Sequence, residues 1–154
     1  MRTLTSVAIV CLISLAAATF QPAAADFSTS SLSGPDVCAG NSFASAKGKA
    51  NWIPSAFAAQ IVGDGKGGFS SGKFVSNTAG VICSYTLTNG SYTVNADGTG
   101  TGSSTWKSAA DNPAKCAKDP SFRSSSVMQN ANTIYVVGTD RDGTGSFVCN
   151  RQGP

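Results

Sequence analysis

Three copies of the tetrapeptide Asp-Gly-x-Gly, at 64–67, 97–100 and 142–145, lie between runs in which polar and apolar residues alternate. Asp-Gly tolerates positive φ at the central positions of a two-residue turn, so each copy signals a β-hairpin. Three such reversals in one short chain restrict the fold to an antiparallel sheet that keeps returning on itself. Gly65, Gly98 and Gly143 are the expected positive-φ positions, and Asn89-Gly90 reads as a further turn of the same kind. Asn89-Gly90-Ser91 also fits a glycosylation sequon, but the turn already explains it.

The segments between the turns read as strands. Over 81–88, Val81, Cys83, Tyr85 and Leu87 share one face, opposite Ile82, Ser84, Thr86 and Thr88, the period of two of a half-buried strand. Further strands are expected near Trp52 and over 57–62, 68–76, 91–95, 99–107, 123–129, 133–139 and 145–150. Past residue 26 leucine occurs only at 32 and 87, while Val, Ile, Phe and Tyr carry the apolar content, a bias toward sheet. Residues 109–121 lack apolar periodicity and form the long loop. Eight or nine strands joined by tight hairpins make a meander, which removes its edges by closing on itself. The expected fold is therefore all-β, an antiparallel meander of about eight strands closed into a small up-and-down barrel.

The ends bound this domain. Met1-Arg2, the apolar run 7–20 and Ala23-Ala24-Ala25 form a signal peptide with cleavage before Asp26. The run is shorter than the roughly 18–20 residues that a spanning helix needs. Cys11 follows Val10, where a lipoprotein site would want a small residue. The expected division is a signal peptide at 1–25, an irregular N-terminal arm at 26–50 and a single barrel domain at 51–154. The chain is expected outside the cytoplasm, periplasmic or extracellular, as a monomer.

Cys38, Cys83, Cys116 and Cys149 remain after cleavage, an even number without any C-x-x-C, which reads as two disulfides with three pairings open. A closed barrel brings the chain ends together, which favours Cys38–Cys149 and leaves Cys83–Cys116. Charged residues make up only 12% of the chain, with a formal net charge of +3 and no basic run interleaved with aromatics. A nucleic-acid partner is therefore not expected.

The hairpin 92–101, Tyr-Thr-Val-Asn-Ala-Asp-Gly-Thr-Gly-Thr, preceded by Cys83-Ser-Tyr-Thr-Leu-Thr-Asn-Gly90, resembles the repeated hairpin of small exported bacterial proteins with calycin-type or allene-oxide-cyclase-like barrels. The resemblance covers about 57–107, with an echo at 134–150, and implies a barrel. It is a turn-and-strand motif and implies no catalytic residue.

The chemistry available is narrow. The chain has no histidine and no glutamate, which removes Ser-His-Asp and Cys-His arrangements, His-ligated metals and the commonest general bases. No enzyme activity, cofactor or metal is expected. Asp140-Arg141-Asp142-Gly143 resembles part of a calcium loop but lacks its third ligand and distal Glu, so it reads as a hairpin turn. Lys107, Lys115, Lys118 and Arg123 cluster around the long loop, where solvated lysines are the ordinary case. Trp52, Tyr92, Trp106 and Tyr135 are the candidates to line an interior cavity, against the plainer reading that they fill a core. The expected function is non-catalytic binding of a small ligand in the barrel or of a partner protein at its loops. The alternatives are a purely structural envelope-associated protein and a secreted enzyme inhibitor. A hollow interior would favour ligand binding.

Overall fold

Alternating side chains carry the chain once around a closed barrel. The computed structural model describes residues 26–45, 52–140 and 143–153; the segment expected to be a signal peptide, 1–25, and Asp142 lie outside them. After a 3₁₀ turn, Thr29–Leu32, come β1 (Ser33–Ser45), β2 (Trp52–Asp64), β3 (Phe69–Thr78), β4 (Val81–Val94), β5 (Thr99–Ser108), β6 (Ser121–Asn130), β7 (Thr133–Gly138) and β8 (Gly143–Arg151). Each strand pairs antiparallel with its sequence neighbour, and β8 pairs with β1 from Asp36↔Arg151 to Ala44↔Gly143. The closure leaves no open sheet edge among the described strands.

The stretches expected near Trp52 and over 57–62 are one strand, β2, and two further corrections to the sequence reading cancel in the strand count. Segment 26–50, expected as an irregular arm, contributes β1 instead. Its inward positions are Asp36, Cys38, Gly40 and Ser42, so small and polar side chains hide the period of two. Conversely, Asn89-Gly90 makes no turn: β4 runs through it, with a bulge that leaves Thr88 unpaired between Leu87 and Asn89. The expected strands 81–88 and 91–95 are one. Gly90 is there for space, because a Cβ would lie 2.7 Å from Phe69 Cδ2. Gly65 and Gly98 do hold positive φ, at 71° and 83°. Gly143 does not; it is the first residue of β8 and pairs with Ala44.

Two disulfides tie the barrel, one across the closing seam and one from a strand to the long loop. Cys38–Cys149 bridges β1 and β8 across the closing seam, linking residues 111 apart in sequence. Cys83–Cys116 fastens the 109–120 loop to β4. Asn112 holds the same loop: its Oδ1 accepts from the Ser84 N–H at 2.8 Å and its Nδ2 donates to the Ser84 carbonyl at 2.6 Å.

One end of the barrel is stoppered. Leu32 is buried there, with Phe27 packed beside it. The Tyr92 hydroxyl donates to the Leu32 carbonyl and accepts from the Gly65 N–H, each at 2.9 Å. Burial pushes the Tyr92 phenol up, so it stays protonated and able to donate. Arg151 pairs with Asp36 at 3.0 Å and donates to the carbonyls of Ser31 and Ser33.

The turn geometry separates two glycines that the sequence motif makes equivalent. At Gly98 a side chain would need left-handed backbone, and its Cβ would meet Phe27 Cδ2 at 2.8 Å. Gly98→Val is expected to cost at least about 1–2 kcal/mol. Gly143→Val, in a strand with its nearest neighbour at 3.5 Å, is expected to stay within about 0.5 kcal/mol of the parent. Urea denaturation of the two variants checks the order.

Candidate functional site

What fills the barrel is decided by which residues alternate inward. On β2, β3 and β8 the inward sets are Phe57-Ala59-Ile61, Gly72-Phe74-Ser76 and Gly145-Phe147-Cys149, one ring on each strand. On β5, β6 and β7 they are Gly100-Gly102-Ser104-Trp106, Phe122-Ser124-Ser126-Met128 and Ile134-Val136-Gly138. Small residues therefore fall beside one another: Gly102 pairs with Ser124, Ser124 with Gly138, and Gly145 with Ser42.

The interior is hollow. A cavity of about 850 Å³ runs from Leu32 and Tyr92 at the stoppered end to Asp119, Phe122 and Asp140 at the opposite end. Its size lies in the range of small-molecule sites. Four rings cross the barrel in sequence: Phe147 against Phe57 at 5.2 Å between centroids, Phe57 against Phe74 at 5.6 Å, and Phe74 against Phe122 at 5.7 Å. Phe74 also stacks on Tyr85 and touches Trp106. These rings form a curtain from β8 to β6. The lining also includes an arc of backbone and hydroxyls on β5 to β8 and β1, supplied by Gly102, Ser124, Ser126, Gly138, Gly145 and Ser42.

Charge is confined to the two ends. Asp36 at the stopper is neutralised by Arg151. At the other end Asp140 Oδ2 accepts from the Arg123 backbone N–H at 2.8 Å. Between them the lining is apolar or hydroxylic. Trp106 Nε1 donates to Ser104 Oγ at 2.8 Å, which leaves the Ser104 proton free to donate in turn.

The four aromatic candidates part company. Trp106 is 3% exposed, Tyr92 is buried, and both line the cavity. Trp52 is 52% exposed at the start of β2. Tyr135 sits on the outer face, with its hydroxyl 3.1 Å from Gln129 Oε1. The structure thus does not bring Trp52 or Tyr135 to the cavity. Sequence reasoning missed Phe57, Phe74, Phe122 and Phe147. Their signal was present as single rings alternating with Gly, Ala and Ser, a pattern that reads as weak strand more readily than as cavity wall. Lys107, Lys115, Lys118 and Arg123 are all exposed, and Lys107 and Lys118 border a shallow depression with Asn112 and Pro113 on the loop.

Two of the turn aspartates, Asp64 and Asp97, serve their own turns. Asp64 Oδ1 accepts from the N–H groups of Lys66 and Gly68 at 2.7 and 2.8 Å. Asp97 Oδ1 accepts from the Thr99 hydroxyl and N–H at 2.7 and 2.9 Å. Asp140 caps Arg123, as above.

Compared with known proteins, the chain matches no family model, no curated protein and no solved structure.

The Gly68 amide, then that of Lys66, holds the Asp64 carboxyl below its ordinary 3.8. The Thr99 hydroxyl, then its amide, does the same for Asp97. A carboxyl depressed by folding adds stability that is complete above the ordinary value and is lost as pH falls through the depressed one. Asp97→Asn, which keeps an acceptor for Thr99, is therefore expected to melt near the parent at neutral pH and to lose less stability below about pH 4. Thermal melts across pH, with calcium and with chelator, check this. A calcium-dependent rise in melting temperature that Asp97→Asn erased would make the turn a cation site instead.

Proposed function

We propose that this protein is an exported, non-catalytic barrel that holds a small apolar molecule in its interior. The observation that carries the reading is the cavity itself. Barrels of eight strands can fill their interiors with side chains, yet here a row of Gly and Ser occupies inward positions where larger residues would close the space. Glycine inside a strand weakens it and often marks close approach of a ligand. The absence of His and Glu from the chain, and the engagement of Asp64 and Asp97 by their own turns, support binding over catalysis. Two disulfides fit an oxidising compartment, in keeping with the signal-like segment 1–25.

A second reading, association with a partner protein or the envelope, draws on the outer surface. An apolar row follows the register around the barrel: Val127 beside Tyr135, Tyr135 beside Val148, then Ala39, Ala58 and Val75. Val127, Tyr135 and Val75 are each about half exposed.

Native mass spectrometry of protein recovered from outside the cytoplasm tests the first reading. A retained small molecule, released by organic solvent and lost when the cavity is filled by substitution, is the expected result. A mass equal to the bare polypeptide in every preparation, with no uptake of added apolar compounds, would favour the second reading.

A further inference from the structure

The walls of the cavity also limit the kind of molecule it takes. Resting on the interior-binding reading above, we infer that the ligand is a flat, uncharged, ring-bearing molecule with a hydroxyl or carbonyl along one edge. A long-chain fatty acid or another anion is the wrong class.

Three features lead to this class. First, the lining has two unlike parts. The curtain Phe147–Phe57–Phe74–Phe122 presents ring faces and edges. The other part is bare backbone at Gly102, Gly138 and Gly145, where no side chain projects. A slot of this kind suits a planar body, because an aromatic ligand gains offset or edge-to-face contacts that an alkyl chain cannot make. Second, among the described residues the lining offers no cation within the slot. Arg151 is committed to Asp36 and to the carbonyls of Ser31 and Ser33. The Arg123 amide serves Asp140, and its side chain is exposed at the rim. A carboxylate carried into the slot would be desolvated without a cation to pair with. Third, the inward serines of the lining sit on β5, β6 and β1. Ser104, Ser124, Ser126 and Ser42 belong to the arc, so the ligand's hydrogen-bonding edge faces β5 to β8 and β1 while its other face meets the rings.

Trp106 reports on the slot from inside. Trp52 is the only other tryptophan in the chain, and Trp52→Phe isolates the signal. The test is to titrate that variant with naphthalene, a naphthol, dodecanol and dodecanoate, following Trp106 emission and the heat of binding. The naphthol is expected to bind at least about tenfold more tightly than dodecanol, with dodecanoate weakest. Ser124→Ala should weaken the naphthol about three- to tenfold and leave naphthalene unchanged. Gly138→Val should abolish binding of both rings. Its Cβ meets only Gly145 backbone atoms at 3.4 Å or more and no positive φ opposes it, so the barrel should still fold. Binding of dodecanol or dodecanoate as tight as that of the rings would overturn the ligand class and leave interior binding standing. Silence of Trp106 and of the calorimeter toward all four probes would overturn both.

Discussion

Everything in this barrel depends on the seam between β1 and β8. An antiparallel meander of eight strands has two edges, and each edge offers unpaired amides and carbonyls to any passing chain. Here the first and last strands match residue for residue from Asp36↔Arg151 to Ala44↔Gly143. Cys38–Cys149 makes one of those pairs covalent, and Cys38 is the most buried of the core side chains at 1% exposed. A loop of that length is where the chain-entropy model gives a disulfide its largest effect, about 4–5 kcal/mol. The Asp36–Arg151 ion pair then fixes the same seam at the stoppered end and draws the 3₁₀ turn across it.

Closure held by the seam relieves the interior of the need to be full. A sandwich of two sheets stays together only through its packed core, whereas a closed ladder is also held by its hydrogen bonds and, here, by two disulfides. The core accordingly divides. One buried group gathers around Cys38, Tyr92, Met128, Ile134, Val136 and Cys149, and a smaller one around Cys83, Tyr85 and Trp106. Both groups give walls to the cavity, Cys38, Tyr92, Ile134, Val136 and Cys149 from the first and Trp106 from the second, alongside the four Phe rings and the Gly and Ser positions. The stopper at Tyr92 and Arg151 makes that space a blind cup rather than a channel.

The fold was legible because hairpin chemistry is local. Asp64-Gly65 and Asp97-Gly98 state their positive φ in two residues, and 81–88 displays its alternation without ambiguity. What misled was chemistry serving another end. Asn89-Gly90 carries the strongest turn signal in the chain, yet tertiary packing uses its glycine to admit the Phe69 ring and uses a bulge to keep the strand going. β1 was invisible because its inward residues are small or polar, chosen by the cavity and the seam rather than by a hydrophobic face. The site was half legible for the same reason. Trp106 and Tyr92 stand out by type. The emptiness opposite them is a property of residues that are not large, and absence of bulk leaves no periodic mark on a sequence.

The central claim is that the barrel interior is a standing cavity and not a space closed by side-chain rotation. Crystals of the protein pressurised with xenon test it most directly, because dry apolar cavities take up the gas. The expected result is xenon between the rings of Phe57, Phe74 and Phe147 and the backbone at Gly138 and Gly145, with those rings in place. A barrel without xenon, in which the same rings have swung onto Gly138 and Gly145 and filled the cup, would contradict it.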